Sequence, residues 1–447
     1  MKSQPTIQLL RDYESRNIVF VEPDGSWPIV WERAKDVHVW DADGKKYLDL
    51  TAAFGVAAAG HANPRVVKAG QKQMSRLLHA MGDVHPHARK AELARDLSRI
   101  TFERWSNGKK SGKVIFSNSG FEAVESAFKT ALLATGKRGV IAFEGAYHGL
   151  GYGALNATHR SYFRNPFHSQ LREFGHFVPF PTVAQTSGLC SMSVKNQTHS
   201  LEACATKIRQ LFRREKIGAI LVEPVQGRGG IHVPPEEFLP LLRKLCDEHG
   251  ALLILDEIFT GFGRTGKWFA CEYTGVVPDL ICLGKALTGG FPLSACVGRA
   301  ALMDTAWPAS RGEAIHTSTF LGHPVGCAMA LAQIQEIEKL ELPERSAELG
   351  KFLLGELQSK ISNPKLQIAV RGLGLMAGVE LRLPDGRPAT DAAMQAIKAM
   401  LQRGYILLPE GEHGNVISFT PPLTITQAQL AKAVAELQKV LTTDEHG

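Results

Sequence analysis

The chain has 447 residues, of which 44% are apolar and 21% are charged, a composition typical of a globular enzyme large enough for two domains. The net charge of +7, from 51 basic and 44 acidic residues spread along the chain, does not indicate a nucleic-acid partner. No signal peptide or membrane span is predicted. Seven cysteines without CxxC spacing favour reduced thiols in a cytoplasmic protein, and no metal site is expected.

The first 60 residues predict an arm followed by a β-hairpin. Residues 1–35 indicate a loosely structured arm with one helical piece. Residues 37–50 predict the hairpin, because two strand-like runs flank Asp43 and Gly44, a dipeptide typical of tight turns. The Gly/Ala-rich segment 51–64 that follows permits close packing of the backbone.

The next part predicts alternating helices and strands. Helical periodicity covers 66–78 and 90–100. A strand then leads through a glycine-containing turn at Ser119 and Gly120 into a helix, and a further strand covers 139–143. Such a turn presents free N–H groups and the positive end of the helix dipole, which by itself is a weak signal for phosphate binding.

The second half of the chain predicts the same alternation of helices and strands, and one irregular segment precedes it. Residues 153–200 have the length of an insertion over an active site. A helix over 201–215 and a strand over 219–222 follow. Towards the C-terminus, the patterns predict strands within 370–381 and 415–426 and helices over 325–340, 350–360, 391–403 and 427–441.

The stretch 251–290 carries the clearest chemical signal. Two short apolar runs, 251–255 and 280–283, end next to Asp256 and Lys285 and predict buried parallel strands. Ligands of open α/β sheets bind at the carboxyl ends of such strands. A desolvated lysine can form a Schiff base, and an aspartate can keep a pyridine nitrogen protonated. Pyridoxal phosphate (PLP) requires this pair.

Three segments, DE-x-x-x-GFGRTG, PD-x-x-x-x-GKAL-x-GG-x-P and HTSTF-x-G, resemble in sequence and order the class III PLP-dependent aminotransferases of fold type I. That family includes 4-aminobutyrate, ornithine and acetylornithine aminotransferases, and the resemblance spans about residues 40–426. It implies an α/β fold: a large domain with a mostly parallel seven-stranded sheet and a small α+β domain from both chain ends. The expected parts are 1–60 (arm and part of the small domain), 61–325 (large PLP-binding domain) and 326–447 (C-terminal small domain). An active site at a homodimer interface is also implied.

The resemblance further implies roles for the cofactor-binding residues. Lys285 would bind PLP and move the substrate proton, while Asp256 would keep the ring nitrogen positive. Tyr147 would stack on the ring, and Glu223 would brace the floor of the site. The phosphate would be held by the turn at Gly120 and Phe121 and by Thr319 of the second subunit, although the family usually has Thr, Ser or Ala where Phe121 stands.

The substrate positions differ from those of glutamate-using members. Leu150 and Ser418 stand where the family has arginines that bind substrate carboxylates, and Arg228 stands where it has a glutamate that screens the second arginine. Phe259 replaces a glutamine near the cofactor. These departures make 4-aminobutyrate and ornithine poor candidates. We hypothesise that Arg228 reaches beside Ser418 and binds a monocarboxylate such as pyruvate; alternatively, Arg228 points to solvent or pairs with a local acid.

The predicted function is a PLP-dependent aminotransferase that moves an amino group from an amine or amino acid to a keto acid. The alternative is a PLP-dependent amino-acid racemase or epimerase on the same scaffold, because a racemase needs no keto-acid co-substrate. A non-enzymatic cofactor-binding regulator would normally carry a nucleic-acid-binding domain, and the sequence predicts none. The expected partners are therefore a small-molecule amino donor, a keto acid and a second copy of the chain.

Overall fold

The structure is a computed structural model that describes residues 3–23, 25–182 and 200–442. Its helices, α1 to α14, are Ser3–Tyr13, Ala52–Gly55, Pro64–Met74, Ala88–Ser98, Gly120–Thr135, Tyr152–Leu155, Ser161–Arg164, Leu201–Arg214, Phe238–His249, Ala300–Ala306, Pro324–Lys339, Leu342–Lys360, Thr390–Gln402 and Gln427–Thr442. Its strands, β1 to β15, are Trp31–Lys35, His38–Asp41, Lys46–Asp49, Gly112–Ser117, Gly139–Phe143, Gly175–Val178, Ile217–Val222, Leu252–Asp256, Leu280–Leu283, Ser294–Arg299, Gln367–Gly372, Ala377–Arg382, Tyr405–Ile406, Leu408–Glu410 and Val416–Phe419.

The largest sheet has seven strands in the order β4-β10-β9-β8-β7-β5-β6. Strands β6, β5, β7, β8 and β9 pair in parallel, whereas β10 is antiparallel to both β9 and β4. Every residue of β7, β8 and β9 is buried, which explains their uninterrupted apolar sequences. The prediction of a mostly parallel seven-stranded sheet is confirmed, although the sequence analysis did not predict β10.

Helices cover both faces of this sheet, as the alternation of side chains along β7 illustrates. Ala219 and Leu221 belong to an apolar cluster that includes residues of α5. Ile220 and Val222 belong to a second cluster that includes residues of α8 and α9. Because successive side chains of a strand point to opposite faces, the strand contributes to both clusters at once. The sequence analysis did not predict α9.

Two further sheets have four strands each, β1-β2-β3-β13 and β11-β12-β15-β14. Strands β2 and β3 form the predicted hairpin, and Gly44 at its turn has a φ of 90°, which glycine adopts without strain. Strand β13 pairs in parallel with β3, so residues from both chain ends share one sheet. The domain bounds at 60 and 325 stay a prediction.

The buried guanidinium of Arg264 ties the GFGRTG segment after β8 to the C-terminal part of the chain. It donates hydrogen bonds to the carbonyl oxygens of Leu375, at 3.0 Å, and Pro421, at 2.5 Å. Burial lowers the pKa of Arg264 to about 9, and the nearby Asp49 opposes that shift. Replacing this arginine would leave two buried carbonyl groups without their donor.

The segment expected to be irregular contains short helices α6 and α7, a 3₁₀ turn over Asn165–Gln170 and strand β6. Residues 183–199 of that segment lie outside the described residues. Among the helices that the structure describes, none is both long and apolar enough to cross a membrane.

Candidate active site

Four neighbouring parallel strands end at one edge of the seven-stranded sheet and bring four predicted site residues together. Tyr147 follows β5, Glu223 follows β7, Asp256 is the last residue of β8, and Lys285 follows β9. The carboxyl edge of a parallel sheet is where its loops can form a binding crevice.

Asp256 is held in one orientation by a histidine and a backbone amide. Its Oδ2 lies 2.7 Å from Nδ1 of His148, and its Oδ1 accepts a hydrogen bond from the amide of Ile258 at 3.1 Å. Both side chains are buried, and among the residues that the structure describes Nε2 of His148 has no hydrogen-bond partner. The sequence analysis did not include His148 among the site residues, although its place directly after Tyr147 was a usable signal.

Glu223 positions the two loops on either side of it. Its Oε1 accepts a hydrogen bond from the amide of Tyr147, and its Oε2 accepts one from the amide of Gly227, both at 3.0 Å. Burial raises the pKa of Glu223, while His148 and the two amides act in the opposite direction. This carboxylate therefore fixes the start of the loop that carries Tyr147.

Lys285 has an unusual backbone conformation and a side chain whose pKa is lowered. Its φ is 42°, in the left-handed region that non-glycine residues rarely adopt outside functional or strained sites. Burial lowers the pKa of Lys285, and the charges of Asp256, Glu223 and Glu410 partly oppose this. A lysine with a lowered pKa is more often neutral near pH 7, as a base or nucleophile must be.

The aromatic ring of Phe259 lies directly beside this lysine. The Lys285 Nζ is 4.1 Å from the ring centroid. The ring itself fits between two glycines, since a Cβ at Gly55 or Gly227 would come within 2.5 or 2.4 Å of a ring carbon. The side chain that replaces the family's glutamine is thus tightly packed, a contact that the sequence alone did not predict.

The first turn of α5 offers backbone donors to an anion. Ser119 precedes the helix, and the carboxylate of Glu122 accepts a hydrogen bond from the Ser119 amide at 2.7 Å. The next amides, those of Gly120 and Phe121, begin the helix and have no acceptor one turn earlier within it. This turn therefore has the geometry predicted for a phosphate site.

The side chain of Phe121 packs on the loop after β5. A Cβ at Gly149 would lie 2.4 Å from the Phe121 Cβ, so the two segments touch closely. Leu150, in the same loop, is 47% exposed, and Thr319 is also exposed on this single chain. The structure thus places Leu150 and Thr319 at the surface of the chain.

Arg228 lies against a carboxylate that the sequence analysis did not single out. Its Nε is 3.8 Å from Oε2 of Glu410, and its guanidinium carbon is 5.1 Å from the centre of the Tyr147 ring. Glu410 is only 4% exposed, and burial raises its pKa. Ser418 is buried on the neighbouring strand β15. The structure therefore places Arg228 beside a local acid, which was the alternative to the hypothesis that Arg228 binds a substrate carboxylate.

The residues present fit PLP. The amine of Lys285 can bind the aldehyde, the buried carboxylate of Asp256 can face a protonated ring nitrogen, and the α5 turn at Gly120 can receive the phosphate. Tyr147 lies at the same strand edge and can cover the ring. When bound, the cofactor supplies the aldehyde carbon that carries the amino group and a ring that accepts electrons.

Comparison with known proteins identifies the class. Residues 20–441 match the family model described as aminotransferase class III. The chain is 38% identical to a putrescine aminotransferase of Pectobacterium atrosepticum, over 92% of this chain and 82% of the relative. It is 34% identical to a leucine/methionine racemase of Thermococcus litoralis, over 94% and 92% of the two chains. The structure of an amine transaminase from an uncultivated Pseudomonas species, described as PLP-bound, matches with a TM-score of 0.81 and 28% identity, over 94% and 96% of the two chains.

The chain belongs to the class III aminotransferases. Its cofactor is PLP, and it moves an amino group from an amino donor to a keto acid. The predicted family, fold, cofactor and reaction class are therefore confirmed.

Proposed function

We propose that this aminotransferase uses Lys285 as its proton-transfer base and Arg228 as the group that binds the carboxylate of a keto acid such as pyruvate. One observation carries the proposal. The amine of Lys285, whose pKa burial lowers, lies at the same strand edge as Asp256 and near the charges of Arg228 and Glu410. The reacting amine and a cation able to bind a carboxylate thus lie near each other.

The side chains of this chain divide the work of the reaction. With the cofactor bound, the Lys285 amine would remove the proton from the substrate Cα. Asp256 would hold a proton on the ring nitrogen, and His148 keeps that carboxylate in place. Glu223 fixes the loop of Tyr147, which limits the movement of the ring that covers the cofactor. The amides of Gly120 and Phe121 bind the phosphate.

We also propose a homodimer in which Thr319 reaches the phosphate site of the second subunit. Thr319 lies in an apolar surface patch formed by segments 77–84 and 315–320, which touch through the rings of His79 and Phe320, 5.4 Å apart. The exposed apolar side chains of the patch are Leu77, Leu78, Met81, Val84, Ile315 and Phe320. A second copy of the chain would bury them. The cytoplasmic location stays a prediction from the sequence.

The proposed clamp, which is the binding of the keto-acid carboxylate by Arg228, is tested by replacing Arg228 with alanine in the PLP-loaded enzyme. Removal of a guanidinium that binds a carboxylate is expected to raise the KM for pyruvate about 10- to 100-fold. The KM for an amino donor that has no carboxylate should change much less. An unchanged keto-acid KM would refute the clamp.

The second candidate function is that of an amino-acid racemase, and the 34% identity to a leucine/methionine racemase favours this hypothesis. Absorption spectroscopy with donors and no acceptor separates the two reactions. An aminotransferase converts its cofactor to the amine form and stops after one half-reaction. A racemase keeps the aldehyde form while deuterium from the solvent enters the substrate Cα.

A further inference from the structure

Glu410 is a buried carboxylate near the reacting amine that the mechanism above does not use. Asp256 and Glu223 each have two hydrogen-bond partners and serve the cofactor side of the site. Glu410 lies near enough for its charge to act on Lys285, yet its Oε2 is buried and has no hydrogen-bond partner in the described part of the chain. Native proteins rarely leave a buried carboxylate oxygen unused, because the lost hydration goes uncompensated.

The ion pair of Glu410 with Arg228 does not satisfy either group. At 3.8 Å, the separation of Arg228 Nε from Glu410 Oε2 is longer than a hydrogen bond, and no described residue makes a hydrogen bond with that Nε. The Arg228 side chain is 35% exposed, so it has room to leave the carboxylate. Each member of the pair therefore keeps one hydrogen-bonding atom that no described residue satisfies.

The backbone under this pair is well fixed. The amide of Gly411 donates to the carbonyl oxygen of Arg228 at 3.1 Å, and the guanidinium of Arg160 bonds the carbonyl oxygens of both residues. Because the two main-chain segments are held together, movement of the Arg228 side chain need not disturb Glu410. The carboxylate is a fixed group, and the guanidinium is the group that can move.

The register of the C-terminal sheet places Glu410 on the same face as Ser418. Glu410 of β14 lies opposite Val416 of β15, and Leu408 lies opposite Ser418. Since side chains two residues apart share a face, Glu410 and Ser418 are diagonal neighbours on it. The face that borders the Arg228 side of the crevice therefore presents a carboxylate beside a small hydroxyl.

We propose that Glu410 binds the far ammonium group of a diamine donor, whose other amino group is the one transferred. The proposal rests on the aminotransferase function proposed above and names the donor class for that same site. The distal ammonium would bind Oε2 of Glu410. Its positive charge would repel the Arg228 guanidinium, which would move away from the carboxylate. A donor with an uncharged tail would leave the pair in place and gain no such contact.

The experiment compares a four-carbon diamine with the monoamine of the same length in the half-reaction of the PLP-loaded enzyme. We expect the unaltered enzyme to favour the diamine in kcat/KM by about 10- to 100-fold, the range for a hydrogen bond between charged groups. Glu410→Gln should abolish that preference by raising the diamine KM. Glu412→Gln, at an exposed carboxylate two residues away, removes the same charge and should retain it.

The other outcomes are distinguishable. A preference that survives Glu410→Gln, or one absent from the unaltered enzyme, overturns the proposal. If Glu410 only supports Arg228, the variant raises the keto-acid KM and affects both amines equally. If Glu410→Gln does not fold, Glu410→Asp keeps the charge but moves it back by one methylene, and it should reduce the preference. Failure of every amine and amino acid to convert the cofactor would instead refute the aminotransferase function.

Discussion

Replacing Gly227 with alanine tests how closely Phe259 and Lys285 are packed. The new Cβ would lie 2.4 Å from Cδ1 of the Phe259 ring, whereas ordinary contact begins at 3.4 Å, so the ring must move by about 1 Å. The opposite ring edge faces Gly55, where a Cβ would lie 2.5 Å from Cε2. The ring has little space on that side, and the strain should reach the Lys285 amine, 4.1 Å from its centroid.

The expected loss of unfolding free energy is about 1–3 kcal/mol, the usual range for overpacking a filled site. A displacement of about 1 Å at the reacting amine is expected to lower kcat by about 100-fold. Urea denaturation measures the first quantity, and the rate of cofactor conversion with a good donor measures the second. Gly355→Ala is the control, because a Cβ at that helical position meets no atom of the described residues within 4 Å.

A double variant identifies the ring as the cause. In a Phe259→Ala background the space beside Gly227 is open, so the alanine at 227 should cost almost nothing further in stability. If Gly227→Ala is as stable as the unaltered enzyme, or if its cost persists without the ring, the packing argument is refuted.

Three further predictions concern groups with different environments. Asp256→Asn keeps the shape but removes the charge that faces the ring nitrogen, and it should lower kcat about 10²- to 10⁴-fold for every donor, measured at saturating donor. Arg264→Ala should lower the unfolding free energy by about 3–5 kcal/mol in urea, because it leaves a cavity and two buried carbonyls without a donor; a loss under about 1 kcal/mol would contradict this. Cys190 lies outside the described residues, so it is replaced with serine in the last test. In that Cys190→Ser variant, native protein at pH 8 should react with a thiol reagent only on unfolding. Burial raises the pKa values of Cys204 and Cys327 to about 12, four units above that pH, which leaves about one thiolate in 10⁴; rapid labelling of the native protein would refute this.

The sequence predicted the strand edge well because its signals are local. Each short apolar run that stops at a charged residue marks the end of a buried parallel strand, and the ends of such strands meet in space whatever their order along the chain. Asp256 and Lys285 could therefore be placed together from the sequence alone. Most bounds of the predicted helices were also close, since periodicity depends on neighbouring residues. The exception is α12, which begins at Leu342 and not at residue 350.

The roles of Glu410 and Phe259 depend on long-range geometry that periodicity does not contain. Glu410 ends a strand of three residues, and its neighbours are set by the pairing of β14 with β15 and by the loop of Arg228. Phe259 lies between Gly55 and Gly227. Gly55 precedes the first strand of the large sheet, β4, and Gly227 follows β7. Either residue looks ordinary until three distant segments are brought together.

The two sides of the site differ in how completely their polar groups are bonded, and this difference separates rate from choice of substrate. On the cofactor side, Asp256 and Glu223 have fixed partners, so their loops cannot rearrange without breaking buried hydrogen bonds. On the other side, Arg228 Nε and Glu410 Oε2 face each other at 3.8 Å, and neither atom has a hydrogen-bond partner among the described residues. Substitutions on the first side should therefore slow all donors alike. Those on the second side should change which donor and which acid are accepted, because only there does a substrate charge compete with a charge of the protein.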